Sequence, residues 1–155
     1  MFEQLGLIGC GLMGGSLALA MQRACLVRHV VAYSPSESTL QAALQAGVIH
    51  EAAHSPADAA AHADLVVVAV PVAATETVLR SIADSLSAQT IVMDVGSTKQ
   101  NVIEAAEATL GSHIGQFVPA HPIAGKEVAG IAHADPDLYR GKQVIAPKTK
   151  VADEE

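Results

Sequence analysis

The chain contains no tryptophan, two tyrosines and two phenylalanines in 155 residues. A core without rings must be filled by small aliphatic side chains. Half of the residues are hydrophobic, with Ala and Val foremost, a composition that suits a parallel sheet covered by Ala-rich helices. Cysteine is also scarce: Cys10 and Cys25 are too few for a disulfide framework and form no C-x-x-C pair. Basic residues number 9 against 16 acids, a formal net charge of −7, which argues against nucleic acid or an anionic membrane as partner. No apolar run reaches transmembrane length. No basic region precedes the first apolar segment, as a signal peptide would need, so a reducing cytoplasm is the expected compartment. The length is that of one domain, and no metal-ligand spacing is evident.

What is present is a glycine pattern. Leu5-Gly6-Leu7-Ile8 runs into Gly9-Cys10-Gly11-Leu12-Met13-Gly14, and a helix-like segment follows. G-x-G-x-x-G between a strand and a helix is the fingerprint of a dinucleotide-binding βαβ unit. Gly9 permits the tight turn, Gly11 leaves room for a pyrophosphate against the backbone, and Gly14 lets the helix pack close to the strand. Leu12 and Met13, at the start of that helix-like segment, are candidate cofactor contacts, and the free N–H groups and positive dipole end of the helix face the phosphates. A backbone cradle of this kind needs no cationic side chain, so the negative net charge does not oppose a phosphate ligand. Cys10, inside the loop, reads as a small filler.

The rest of the chain alternates. Strands are expected at Gln4–Ile8, His29–Tyr33, Leu65–Val70, Ile91–Val95, Gln116–Ala120 and Lys142–Ala146. Helices are expected at Met13–Ala24, after an N-cap at Ser36 and ending at Gly47, after Ser55-Pro56-Ala57-Asp58, and at Thr75–Leu86 and Thr98–Leu110. The run Leu65–Val70 is apolar throughout, as in a strand buried on both faces, and Pro71 stops it. This alternation predicts a Rossmann-type, doubly wound, mostly parallel α/β sheet with helices on both faces. Val70 and Pro71, at a strand end, are candidate cofactor contacts. Asp153-Glu154-Glu155 reads as a frayed acidic tail.

In this fold a residue about 20 positions beyond the glycines, at the end of the second strand, meets the adenosine ribose. That position is Ser34. An acid there would bond the ribose hydroxyls and repel a 2′-phosphate. The segment Tyr33-Ser34-Pro35-Ser36 offers no acid but two hydroxyls that can donate to a phosphate, although no Arg follows. NADP, or dual use of NADP and NAD, is therefore expected, with Ser36 also capping the next helix.

Two further segments follow strand ends, where open α/β sheets place their ligands: Asp94-Val95-Gly96-Ser97-Thr98-Lys99, and Ala120-His121-Pro122-Ile123-Ala124-Gly125-Lys126-Glu127-Val128-Ala129-Gly130. Read alone, Ser97 either touches a substrate or caps a helix, and His121 is either structural or a base.

Taken together, GLIGCGLMGGSLA, VGSTK and HPIAGKE-x-x-G strongly resemble the prephenate/arogenate dehydrogenase family, over Leu5 to Pro147. HPIAGKE is the most specific piece, and Leu138-Tyr139-x-Gly141-Lys142 is similar too. The resemblance implies oxidative decarboxylation of prephenate or arogenate in tyrosine biosynthesis, with hydride passed to NAD(P). It implies that His121 is the catalytic histidine bonded to the substrate ring hydroxyl and that Ser97 lies near that hydroxyl and the nicotinamide. Glu127 becomes the acid of a pocket-lining loop shared with Gly125 and Lys126, Lys126 having no fixed role. An imidazole is a base suited to neutral pH. Taking the hydroxyl proton frees hydride to leave the carbinol carbon, and loss of CO₂ makes the ring aromatic.

Members of the family continue into a helical second domain that makes most dimer contacts and completes the substrate site. Residues 1–147 are accordingly expected to be the dinucleotide-binding domain, and 148–155 the start of such a second domain, through which a homodimer would form. Residues 1–155 alone are then expected to bind cofactor without turnover. Competing readings are a non-catalytic NAD(P)-sensing module, which His121 and Ser97 at strand ends disfavour, and another hydroxyacid-type dehydrogenase or a methyltransferase, which HPIAGKE and the three-glycine spacing disfavour.

Overall fold

The computed structural model describes residues 1–96, 98–122, 130–142 and 144–145. The chain runs β1 (Phe2–Ile8), α1 (Leu12–Arg23), β2 (Val27–Tyr33), α2 (Glu37–Gln45), β3 (Glu51–Ala52), α3 (Pro56–Ala60), β4 (Leu65–Val68), α4 (Val72–Ile82), β5 (Ile91–Asp94), α5 (Lys99–Thr109) and β6 (Phe117–Pro119). Short 3-10 turns follow α4 and α5. The six strands form one sheet in the order β3-β2-β1-β4-β5-β6, and every pairing is parallel. This is the expected Rossmann-type sheet.

Alternation along the strands divides the core into two layers. Leu5 and Leu7 of β1, Val30 and Ala32 of β2 and Leu65 and Val67 of β4 face α1 and α2, together with Ala18, Met21, Leu40 and Ala43. Ile8, Val31, Val66, Val68 and Val92 face the opposite layer, with Val78, Leu79 and Ile82 of α4 and Val102, Ala105 and Ala106 of α5. All four residues of β4 are buried, as a central parallel strand covered on both faces requires. Gly6 lies on the second face, where α3 presses onto β1: a Cβ built on it falls 2.5 Å from the Ala59 carbonyl oxygen and 3.2 Å from the Ala63 Cβ.

The helix starts follow local chemistry. Ser36 caps α2, its Oγ accepting from the Thr39 N–H at 3.3 Å. Ser55 caps α3 by accepting from the Asp58 N–H at 3.0 Å, with Pro56 in the first turn. Asp58 reaches back as the box predicts, but to the N–H of His54 at 3.4 Å, one residue before the cap. Gly47 follows α2 with φ +72°, the left-handed exit expected of it.

Two sequence expectations are corrected. β3 is an added strand with no signal in the sequence: two residues, one of them polar, carry no periodicity. Of the strand expected at Lys142–Ala146, the described residues Val144–Ile145 form a strand (β8), and it does not extend the parallel sheet. It pairs antiparallel with His121–Pro122 (β7), His121 opposite Ile145. The physical reason lies at the end of β6. The Ala120 N–H still makes the last β5–β6 ladder bond, to the Asp94 carbonyl at 3.2 Å, and also meets the Asp94 carboxylate at 3.3 Å. β5 ends at Asp94, so the next two residues have no β5 strand beside them and pair with β8 instead. Smaller differences are a β4 that ends at Val68, before Val70, and an α4 that begins at Val72. The tail 153–155 lies outside the described residues.

The approach of α3 to β1 yields one expected outcome. Gly6→Ala must push α3 outward, which should cost about 1–3 kcal/mol, as overpacking does. Thermal unfolding should show a Tm lower by several degrees, and an unchanged Tm would mean that α3 yields freely.

Candidate functional site

The chain leaves β1 outward to β2 and β3 and returns through the sheet to β4, so the strand order reverses between β1 and β4. The crevice at such a reversal is where open α/β sheets take their ligands. Gly9 makes the turn there, with φ +95° and its N–H donating to the Tyr33 carbonyl at 3.0 Å. A Cβ on Gly9 would strike the Ala69 carbonyl oxygen. One on Gly14 would lie 2.5 Å from the Gly9 carbonyl oxygen and 3.0 Å from the Ala69 Cβ. Both glycines are thus required by the protein's own packing.

Gly11 differs. A Cβ built on it meets no protein atom within 4 Å, and its φ of −90° and ψ of −158° are open to any residue. Nothing in the described structure requires glycine at this position. Gly11 is the N-cap of α1, where no side chain caps the helix and no acid occupies the first turn. The first-turn N–H groups of a helix have no partner within it. The result is a cradle of backbone donors whose open side a side chain at position 11 would fill.

Two clefts flank this cradle. One, of about 350 Å³, is lined by Ile8, Gly9, Cys10, Gly11, Tyr33, Ser34, Pro35, Ala69, Val70, Pro71, Ala74 and Val78. Among the described residues no acidic side chain lines it. The other, of about 310 Å³, is lined by Met13, Ala69, Val70, Val95, Gly96, His121 and Pro122. Ala69 and Val70 belong to both walls, so the two clefts adjoin across the end of β4. Burial pushes the Cys10 thiol up to about 11, which keeps it uncharged at neutral pH beside the cradle.

The residues singled out in the sequence fall into place unevenly. Gly9, Gly11, Ser34, Val70 and Pro71 line the first cleft, and Met13, Val70 and His121 the second. Gly14 and Leu12 line neither. Gly14 serves the close approach of α1, and the Leu12 side chain is buried, leaving its first-turn N–H as what it offers. Ser34 Oγ accepts from the Ser36 N–H at 3.2 Å, so its own hydrogen is available to donate. The Ser36 hydroxyl is engaged with the Thr39 N–H and with Ser38 Oγ at 3.0 Å and is not among the lining residues. Ser97, Gly125, Lys126 and Glu127 lie outside the described residues.

Sequence reasoning missed a strap over α1. The segment 130–142 is tied to that helix: the Asp135 N–H donates to Ser16 Oγ at 2.9 Å, Tyr139 Oη donates to the Met13 carbonyl at 2.7 Å, and Arg23 pairs with Asp137 at 2.9 Å. Burial pushes the Tyr139 phenol up to about 12, so it remains a donor. Ile131 packs over Gly15 so closely that a Cβ there would fall 2.5 Å from its Cδ1. The signal that could have found it is Gly15-Ser16, a glycine and a polar residue on a helix face that should be apolar; Ser16 is fully buried. Among the described residues no group of three or more His, Cys, Asp or Glu is placed to hold a metal ion, and no helix is long and apolar enough to cross a membrane.

Residues 17–155 match the family described as prephenate dehydrogenase, nucleotide-binding domain. The chain belongs to that family. It is 35% identical over 152 residues to a prephenate dehydrogenase of Bacillus subtilis, covering 97% of this chain and 41% of that protein. A cyclohexadienyl dehydrogenase of Zymomonas mobilis is 34% identical over 144 residues, covering 93% of this chain and 48% of that protein. In three dimensions the chain is similar to prephenate dehydrogenase from A. aeolicus in complex with hydroxyphenyl propionate and NAD+, with a TM-score of 0.88, 30% identity, and coverage of 99% of this chain and 53% of that one. The chain therefore spans about half the length of the relatives it matches.

Proposed function

We propose that this chain is the half of a prephenate or arogenate dehydrogenase that holds the nicotinamide dinucleotide and presents the base that opens the substrate hydroxyl. The observation that carries the reading is the open cradle at Gly11, set between two adjoining clefts with His121 in the wall of the second. Supporting it, the A. aeolicus relative was captured with NAD+ and a hydroxyphenyl acid. The pyrophosphate would lie on the α1 N-terminus, against the N–H groups of Leu12, Met13 and Gly14. The adenosine end would enter the cleft of Ser34 and Pro71, and the nicotinamide end the cleft of Met13 and His121.

The bound nicotinamide supplies the hydride acceptor. This chain's residues do the remainder. His121 takes the hydroxyl proton of the cyclohexadienol, so that hydride leaves the carbinol carbon as the carbonyl forms. Loss of CO₂ from the opposite ring carbon returns its bonding pair to the ring and gives the aromatic product. Ser97 and the loop residues Gly125, Lys126 and Glu127 are assigned to the substrate side on the strength of the resemblance alone. Cofactor choice is assigned to Ser34: with no acid among the described residues of the cleft and a hydroxyl free to donate, NADP is favoured and NAD accepted. The working protein is proposed to be a cytoplasmic homodimer that acts on a small molecule, with neither nucleic acid nor membrane as partner.

Three outcomes are expected. Gly11→Val should leave Tm within about 1 °C of the parent, as surface substitutions do, yet abolish NAD(P) binding by calorimetry; equal affinity in parent and variant would defeat the cradle. Ser34→Asp should weaken NADP and hold or improve NAD, a swing on the order of 1–3 kcal/mol, the scale of one charge-assisted hydrogen bond, and a variant with the parental preference would remove position 34 as selector. In the protein that carries this domain, His121→Asn should lower turnover of prephenate or arogenate roughly 10²–10⁴-fold, the range for losing a general base, with cofactor affinity little changed. Near-parental turnover would rule out that role.

A further inference from the structure

We infer that the buried Asp94–Lys99 ion pair is the positioning device that fixes the end of β6, and with it His121, relative to the turn after β5. This rests on the reading of His121 given above.

Asp94 is the last residue of β5 and is 2% exposed. Its carboxylate serves three separate pieces of chain. Oδ2 accepts from the Gly96 N–H at 2.9 Å, which folds the β5–α5 turn back on the strand end. The same oxygen pairs with Nζ of Lys99, the first residue of α5. Oδ1 accepts at 3.3 Å from the Ala120 N–H, which is shared with the Asp94 main-chain carbonyl at 3.2 Å. Gly96 and His121 both line the 310 Å³ cleft. One side chain therefore clamps Gly96 itself and the residue before His121.

The chemistry of the pair favours this role over a bland one. A buried ion pair adds little net stability over an apolar pair of similar size, because desolvation offsets its attraction. What a carboxylate adds is direction: its two oxygens each accept from a backbone amide at a different strand end. Lys99, only 13% exposed at its side chain, supplies the countercharge, and its ammonium holds α5 to the same point. β6 lies at the edge of the sheet, hydrogen-bonded to β5. Without the Asp94 carboxylate, the chain leading into His121 would keep the main-chain bond from the Ala120 N–H to the Asp94 carbonyl and the short β7–β8 pairing, but lose the link between the Ala120 amide and the Gly96 turn.

The test uses Asp94→Asn, the double variant Asp94→Asn/Lys99→Met and the conservative Lys99→Arg. The double variant leaves no lone buried charge, so it keeps a folded protein in hand if Asp94→Asn alone does not fold. By amide NMR, the Gly96 and Ala120 resonances should move in both Asp94 variants while those of Gly9 to Gly15 stay. Calorimetry should give an unchanged NAD+ affinity, and kcat for prephenate or arogenate should fall on the order of 10²-fold, the scale of an ångström of misplacement. Lys99→Arg should keep kcat close to the parent. A folded double variant whose Gly96 and Ala120 amides do not move overturns the clamp. Moved amides with parental kcat overturn its positioning role, as does a loss of NAD+ affinity equal to the loss of kcat. A parent protein that turns over neither substrate defeats the functional reading instead, and the amides then decide the clamp by themselves.

Discussion

The contact on which this site depends is the approach of α1 to the ends of β1 and β4. At Gly14 the helix comes so near the strand that a single methyl group would sit 2.5 Å from the Gly9 carbonyl oxygen and 3.0 Å from the Ala69 Cβ. That proximity is possible only because position 14 carries no side chain, and the turn beneath it is made by Gly9 at a φ of +95° that other residues reach at a cost. From this one contact follows the position of the helix N-terminus. It projects into the strand-order reversal, with its free N–H groups directed at the space that Gly11 leaves open. Move α1 outward by the radius of a methyl group and the donors no longer converge.

The strap of residues 130–142 makes sense against that requirement. A helix held only by its inner face could slide along the sheet. Tyr139 and Ser16 hold it from outside, through the Met13 carbonyl and the Asp135 N–H. Met13 is thus fixed on two counts: its side chain lines the second cleft, and its carbonyl is anchored by the tyrosine. A phenol raised to about 12 by burial does not ionise near neutral pH, so this anchor is indifferent to physiological pH. The same holds for Cys10, whose thiol at about 11 brings no negative charge to the cradle at the α1 N-terminus. In a chain of net charge −7, an anion site built from backbone N–H groups and neutral side chains avoids the need for a cationic cluster.

Legibility in the sequence follows the range of the interactions. The glycine turn, the caps at Ser36 and Ser55 and the all-apolar β4 are set by neighbours within a few positions, and each stands in the sequence with its reason. The sheet follows from the alternation of strands and helices. What could not be read is set at long range. β3 exists because Val31 and Ala32 offer it an edge, not because Glu51-Ala52 favours a strand. The departure of β7 from the sheet depends on where β5 ends, at Asp94, 26 residues before Ala120. Ser36 illustrates a third kind of difficulty. Its hydroxyl suits both a helix cap and a phosphate contact, and only the geometry shows it engaged with the cap and Ser38 while Ser34 keeps the cleft.

The division of labour between the two clefts has a consequence for the chemistry. Ala69 and Val70 separate them, so a ligand spanning both must pass the end of β4 close to main chain rather than to a long side chain. On the cradle side the groups are backbone N–H, glycine and the Ser34 hydroxyl, and the fit is largely one of shape. On the far side are the imidazole of His121 and the turn at Gly96, with Asp94 accepting from the Gly96 and Ala120 N–H groups. Tolerance to substitution should differ accordingly. On the first side it is limited by the volume of any added atom, and on the second by the direction of hydrogen bonds. A dinucleotide site of this form can therefore keep its grip on the cofactor while the far wall is altered. In such a fold, affinity for the nucleotide and competence for hydride transfer are physically separable properties.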